Sequence, residues 1–144
     1  MMGLSPCVAT VTHSNITVSE KGRRANFRNP ENELYQKARV DGCLVTSGVR
    51  CDWIVTKIGV GSVLVELKGS DIAHAFDQLL ATLQHVHCKC WLEKRRAMLV
   101  VCSKYPAFDT GRARREEVAR KKGLRLKVVC NEADLHIEEL LPKQ

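Results

Sequence analysis

The sequence lacks any apolar stretch long enough to cross a membrane, because no window approaches the roughly 18 consecutive apolar residues that a spanning helix needs. It also lacks the pattern of an export signal, since Met1 to Ala9 contain neither a basic start nor an apolar centre. No internal repeat or low-complexity linker divides the chain. We therefore expect a cytoplasmic (intracellular) protein with no membrane partner.

The seven cysteines are an odd number, and they occur without an export signal. Cys51, Cys102 and Cys130 lie inside apolar, strand-like runs, where a free cysteine behaves as a small hydrophobic residue. These features favour reduced thiols over a disulfide framework.

The chain has the size of one ordinary domain and is basic. Its 144 residues, 44% of them hydrophobic, can bury most of their apolar surface. The net charge of +7 favours polyanionic partners such as nucleic acids. Residues 1–30 are polar and without clear periodicity, so they predict a basic N-terminal arm, either flexible or an edge element. Residues 31–144 are predicted to form a single domain.

The first part of this domain has the residue pattern of a short helix followed by strands. Asn29-Pro30 is typical of a helix start, which predicts a short helix over 31–37. Runs rich in β-branched and aromatic residues at 40–45 and 49–55, separated by a Thr-Ser-Gly turn, indicate a hairpin. A third run at 62–68 follows a Gly-Val-Gly turn, so we predict three consecutive antiparallel strands.

The second part alternates helices and strands. Apolar residues at three- and four-residue steps predict an amphipathic helix from Ser70, a candidate N-cap, to about Val86. The unbroken apolar run at 97–102 is typical of a strand covered on both faces. A basic helix from 109 or 110 to 122 and a fifth strand at 124–130 complete the chain. The fold class is therefore α/β, with a mixed central sheet of about five strands in the order α-β-β-β-α-β-α-β.

Two carboxylates and a lysine are predicted to meet on neighbouring strands. Glu66 and Lys68 are two residues apart on one strand, so their side chains leave the same face while Leu67 points the other way. Asp52, on the preceding strand, lies 13 intervening residues before Glu66, and cross-strand pairing would bring the two acids side by side. Oxygen ligands of this kind bind Mg²⁺ or Mn²⁺, and a neighbouring lysine can orient or deprotonate an attacking water.

At these residues the sequence resembles the PD-(D/E)xK nuclease superfamily. About one Asp/Glu-x-Lys triplet is expected by chance in a chain of this composition, but the single triplet here ends an apolar strand and precedes a helix start. The superfamily carries an aspartate on the second core strand and the triplet on the third, as Asp52, Glu66 and Lys68 do. Gln78, ten residues after the lysine, is similar to the glutamine of the RecB-like branch. The resemblance covers residues 40 to about 130.

The resemblance implies a restriction-endonuclease-like core. It also implies a metal-dependent endo- or exonuclease, or a nuclease subunit, that acts on DNA rather than RNA. A homodimer is one of the oligomeric states that the resemblance allows. It implies that Asp52, Glu66 and the Leu67 carbonyl bind Mg²⁺ or Mn²⁺, that Lys68 positions the water and that Gln78 supports the site. Two departures stand out: a cysteine replaces the proline before the aspartate, and the acidic residue of the first helix has several candidates. These are Glu33 first, then Glu31 and Glu20, while Asp41-Gly42 is read as turn chemistry.

Other polar clusters leave alternatives open. Basic residues that would contact a nucleic-acid backbone, or form an ordinary solvated surface, are Arg23, Arg24, Arg112, Arg114, Arg115 and Lys121. His85, His87, Cys88 and Cys90 are a dense set of zinc-ligand residue types, but the cysteine pair has one intervening residue and no partner pair elsewhere. The alternatives are a catalytically inactive nucleic-acid-binding or partner-binding module of the same fold, and a zinc-stabilised interaction protein.

Overall fold

The computed structural model describes residues 5–67, 71–104 and 109–143. The strands in these ranges are β1 (Val8–Val11), β2 (Asn15–Glu20), β3 (Arg23–Arg28), β4 (Tyr35–Arg39), β5 (Trp53–Lys57), β6 (Gly61–Glu66), β7 (Arg96–Cys102), β8 (Leu124–Cys130) and β9 (Glu132–Leu135). The helices are α1 (Ile72–Gln84), α2 (Val86–Lys89) and α3 (Arg112–Lys121), followed by a 3-10 helix at Ile137–Glu139. None of the helices in these ranges is both long enough and apolar enough to span a bilayer.

The strands form two sheets. The main sheet has six strands in the order β1-β4-β5-β6-β7-β8, antiparallel from β1 to β6 and parallel from β6 to β8. The second sheet has three strands in the order β2-β3-β9, with β2 and β3 antiparallel and β3 and β9 parallel. The α/β class and the mixed sheet are therefore confirmed, but the chain has more strands than predicted.

The main sheet is the middle of three layers. One core lies between it and the second sheet, and contains Phe27, Val65 and Leu99. The other core lies beneath α1 and α3, and contains Leu64 and Phe76. Because successive side chains of a strand point to opposite faces, β6 and β7 need apolar residues at nearly every position. This explains the unbroken apolar run of β7, which was correctly predicted to be covered on both faces.

The N-terminal third differs most from the prediction. Residues 8–28, which were predicted as a polar arm or edge element, form β1, β2 and β3; β1 and β2 are edge strands of their sheets, so the edge alternative holds for them. The predicted helix at 31–37 is wrong, because this segment contains a loop and the start of β4. Asn29 is 2% exposed and its side-chain amide donates to the carbonyls of His13 and Glu33, so it holds a loop rather than a helix start. Pairing of β4 with β1 and β5 outweighs the local helix signal.

The predicted strand at 40–45 is also wrong, because these residues form a turn. The Val45 N–H donates to the Val40 carbonyl at 2.9 Å, and Gly42 has a φ of +77°, which glycine adopts more readily than other residues. Both valines are buried against the helix-side core. The apolar run therefore reflects a turn folded onto the core.

From residue 61 onward β6, α1, β7, α3 and β8 lie close to their predicted bounds, but α2 between α1 and β7 and β9 after β8 were not predicted. The candidate cap Ser70 lies outside the described residues. Asp71 caps α1 instead, because its Oδ1 accepts a hydrogen bond from the His74 N–H at 3.0 Å.

The expectation that all thiols are reduced is wrong for one pair. Cys7 and Cys43 form a disulfide with a Cα–Cα distance of 5.6 Å. The Arg39 N–H donates to the Cys7 carbonyl, so pairing along β4 brings the N-terminal segment beside the turn that contains Cys43. Sequence spacing could not reveal this long-range proximity. Cys51, Cys102 and Cys130 are free thiols, as predicted.

Candidate functional site

The candidate site lies at one edge of the main sheet. The parallel strands β6, β7 and β8 end at this edge, and α1 follows β6 there. Glu66 is the last residue of β6. The ladder between β5 and β6 ends with Trp53 opposite Val65, so Asp52 and Glu66 are the next residues on the two strands at this edge. Ligand sites in α/β sheets commonly lie beyond the carboxyl ends of parallel strands.

Both carboxylates are buried. Asp52 is 1% exposed and Glu66 is 0% exposed. The Leu67 N–H donates to Oδ2 of Asp52 at 2.8 Å, which brings the aspartate against the residue that follows Glu66. Burial raises the pKa of the neighbouring Cys51 thiol, and the negative charges of Glu66 and Asp52 raise it further. Cys51 therefore remains a thiol and is not an activated nucleophile.

Two side chains of α1 hold the segment that leads into Asp52. The Gln78 amide donates from Nε2 to the Arg50 carbonyl at 3.0 Å. One turn later, the Thr82 hydroxyl accepts the Cys51 N–H at 2.8 Å and donates to the Gln78 carbonyl at 2.8 Å. Helix α1 is thus bonded to both residues immediately before Asp52. Gln78 therefore contacts the site's supporting backbone.

An open pocket adjoins Gln78 on its solvent side. Its lining consists of Asp41, Gly48, Val49, Arg50, His74 and Gln78. Arg50 donates from Nε to Oδ1 of Asp41 at 2.8 Å. The N–H groups of Val40 and Asp41 lie 2.9 and 3.4 Å from the Asp52 carbonyl oxygen. Asp41 belongs to a turn, as predicted, but this turn also supports the backbone of Asp52.

The remaining residues of the predicted site have different placements. Lys68 lies outside the described residues. Leu67 is buried beside Asp52, and a role for its carbonyl as a metal ligand stays a prediction. Glu33 is exposed and precedes β4 at the end where Tyr35 pairs with Lys57, whereas Asp52 lies near the opposite end of that ladder.

The two reserve candidates for the first acidic residue lie in different parts of the fold. Glu31 is exposed in the same loop as Glu33. Glu20 ends β2 in the second sheet, on the opposite side of the main sheet from α1. The helix predicted to carry this acid is absent, because the described residues before β4 contain no helix, and a catalytic role for an acidic residue of this segment stays a prediction.

The six predicted nucleic-acid-binding residues fall on two layers. Arg23 and Arg24 belong to β3 of the second sheet, and Arg24 pairs with Glu132 at 2.5 Å. Arg112, Arg114, Arg115 and Lys121 belong to α3, on the same side of the main sheet as α1. The structure therefore does not assemble them into one surface.

Two of the α3 arginines line a cleft near the candidate site. The cleft has a volume of about 360 Å³ and is lined by Ile72, Asp109, Arg112, Arg115, Glu116, Leu126, Lys127 and Val128. Hydrogen bonding from Arg115 holds the pKa of the Asp109 carboxyl below its usual range. Val128 pairs with Val100, which pairs with Glu66, so the cleft is two strands away from Glu66, or about 10 Å.

The described residues contain no group of three His, Cys, Asp or Glu side chains arranged to hold a metal ion. Asp52 and Glu66 are a pair of acidic side chains at the site. In the other cluster, Nδ1 of His85 accepts a hydrogen bond from the His87 N–H, and burial raises the pKa of the Cys88 thiol to about 11. The zinc alternative gains no support from this arrangement.

Sequence reasoning missed the supporting role of Asp41, Arg50 and Thr82. One signal was present, because His74, Gln78 and Thr82 recur at four-residue steps and form a polar line along an amphipathic helix. The roles of Asp41 and Arg50 had no comparable local signal. No family model, curated protein or solved structure matches this chain.

Proposed function

We propose that this protein is a metal-dependent nuclease that hydrolyses phosphodiester bonds of DNA. The observation that carries the proposal is the pair of fully buried carboxylates, Asp52 and Glu66, at the edge where β5 begins and β6 ends. Burying two neighbouring acidic groups has a large desolvation cost, and like charges oppose each other. Such arrangements are concentrated at functional sites.

The order of elements supports the same proposal. Three antiparallel strands, β4, β5 and β6, are followed by α1 and by β7 parallel to β6. Asp52 immediately precedes the second of these strands and Glu66 ends the third, as in the PD-(D/E)xK superfamily that the sequence resembles. We infer a core of the restriction-endonuclease type, which here has a second sheet and, among the residues described from 5 onward, no helix before β4.

The donor set at the site fits a hard divalent cation, because Mg²⁺ and Mn²⁺ prefer carboxylate and carbonyl oxygens. Asp52, Glu66 and the Leu67 carbonyl would hold the ion, which when bound would supply charge stabilisation and lower the pKa of a coordinated water. Lys68 would orient the attacking water and offset developing negative charge. Gln78 acts as a positioning residue, because its amide holds the backbone two residues before Asp52.

The cleft beside α3 supports a phosphate-bearing substrate. Arg112 and Arg115 line it at the same edge of the sheet as Glu66, about 10 Å away. Arginine recognises phosphate through paired donors, and such contacts position a nucleic-acid backbone without reading its bases. The proposed substrate path therefore runs from this cleft across the carboxyl ends of β8, β7 and β6.

The deciding experiment is cleavage of circular single-stranded, linear duplex and branched DNA with Mn²⁺ or Mg²⁺. The wild type is compared with Lys68→Ala and Glu66→Gln, and with the surface variants Lys143→Ala and Glu139→Gln as matched controls. We expect cleavage by the wild type and both controls, with a loss of at least about 100-fold in each site variant.

Two results would contradict the proposal. Equal cleavage by the wild type and Glu66→Gln would indicate a contaminating nuclease. If no substrate is cut but DNA is bound without metal, the protein is the inactive binding module of the same fold.

A further inference from the structure

A second cationic pocket lies at the opposite edge of the main sheet. It is lined by Leu83, Gln84, Lys89, Arg96, Lys122 and Leu124, and has a volume of about 470 Å³. We call it the distal pocket. Its lining among the described residues contains three cations and no acidic side chain. The cleft near Glu66 differs, because its arginines share the lining with Asp109 and Glu116.

The three cations come from three separate elements. Lys89 ends α2, Arg96 begins β7 and Lys122 follows the last residue of α3. Arg96 is held in place because its Nε donates to the Glu93 carbonyl at 2.7 Å. Lys89, Arg96 and Lys122 form no ion pair with another residue in the described part of the chain. Their convergence creates a positive field, and no acidic side chain of the described residues lies within ion-pair distance of the three cations.

We propose that the distal pocket binds a phosphate group of the nucleic-acid backbone, away from the site of cleavage. The choice of nucleic acid as the polyanion rests on the proposed nuclease function. Arg96 of the distal pocket pairs with Ser62, and Glu66 lies four residues further along β6, so about 13 Å of strand separates the pocket from Glu66. A backbone that occupies both sites would span roughly four nucleotide steps of about 3.4 Å each.

The spacing gives the distal pocket a specific role. The cleft with Arg112 and Arg115 and the distal pocket lie at opposite ends of α3, about 15 Å apart along that helix. Both are on the helix-covered side of the main sheet. Two separated phosphate contacts would fix the orientation of the nucleic-acid backbone relative to Glu66. One contact leaves the backbone free to rotate about that point.

The test measures DNA binding by the full chain in EDTA, where metal-dependent cleavage is absent. A fluorescent 20-nucleotide duplex and its single strand are titrated between 50 and 200 mM salt, which are about the concentrations where phosphate contacts dominate affinity. The pocket variant is Lys89→Gln/Lys122→Gln. The control variant is Lys21→Gln/Lys143→Gln, which removes the same charge from exposed positions outside the pocket.

Loss of one phosphate contact should weaken duplex binding about eightfold at 0.1 M salt and reduce the salt slope by about 0.9. The control variant should retain the wild-type slope. Equal losses in the two variants would overturn the proposal, because net charge alone would then explain them. Absence of DNA binding by the wild type would overturn it as well.

A structural role for the same lysines gives a different result. Cations near helix C-termini stabilise helices, so a purely structural role would lower the melting temperature and leave DNA affinity unchanged. That outcome would also overturn the proposal. Gln84→Glu is a second variant that adds an acid to the pocket without removing a lysine, and it should also weaken binding. Cleavage of the same duplex with Mn²⁺ is scored separately, so failure of the nuclease function is distinguishable from failure of the distal pocket.

Discussion

The change Thr82→Val tests whether α1 positions Asp52. Valine has nearly the same shape as threonine, so the substitution removes a hydroxyl from a fully buried position without leaving a large cavity. The Cys51 N–H then loses the acceptor that it has at 2.8 Å. An unsatisfied buried donor costs about 1–3 kcal/mol, and for a chain of this size the melting temperature should fall by roughly 2–4 °C per kcal/mol.

The matched control is Thr56→Val. Thr56 is 2% exposed and also makes two hydrogen bonds, to the Ser62 hydroxyl at 2.7 Å and to the Trp91 carbonyl at 3.3 Å. Its loss of stability should be of similar size, but Thr56 is four residues along the strand from Asp52, about 13 Å away.

Thermal unfolding and Mn²⁺-dependent cleavage are measured for both variants at a temperature where each is folded. We expect similar destabilisation, with cleavage lowered about tenfold or more in Thr82→Val alone. Equal cleavage by the two variants would refute the idea that the bond to Cys51 positions Asp52.

Three further predictions concern metal, pH and the disulfide. Mn²⁺ at about 100 times its Kd should stabilise the wild type by about 2.7 kcal/mol. Thermal unfolding should show this gain in Glu139→Gln but not in Glu66→Gln, and a gain that survives in Glu66→Gln would exclude that carboxylate as a ligand. The pKa of Asp134 is lowered to about 2, chiefly by its hydrogen bond from Arg28, so its contribution to stability is present above pH 3.8 and is lost as the pH falls toward 2. The urea midpoint of Asp134→Asn should vary less than that of the wild type over this range, and identical pH profiles would contradict the assignment. Reduction of the disulfide between Cys7 and Cys43, which are 36 positions apart, should lower the free energy of unfolding by about 2–4 kcal/mol, whereas dithiothreitol should not change the stability of Cys7→Ser.

The second half of the fold could be predicted because its signals are local. The 3.6-residue period of α1 and the apolar run of β7 each depend on residues close in sequence. These elements pack against one another, so the residues that the local pattern predicts to be buried are the ones that the packing buries. The first half could not be predicted in this way. β4 pairs with β1 across more than 20 positions, and β3 pairs with β9 across more than 100. Such pairings leave little periodic trace in a polar strand.

The two carboxylates of the candidate site could be predicted from the sequence alone. Asp52 and Glu66 lie on predicted strands at a spacing that fits adjacent positions, and the strand ladder brings them to the same edge. Only the tertiary structure decided what holds them there. Gln78 and Thr82 reach the backbone before Asp52 because α1 packs across the sheet, and these contacts join residues 28 and 31 positions apart. A local pattern specifies which way a side chain faces within its own element, whereas its partner depends on how separate elements pack.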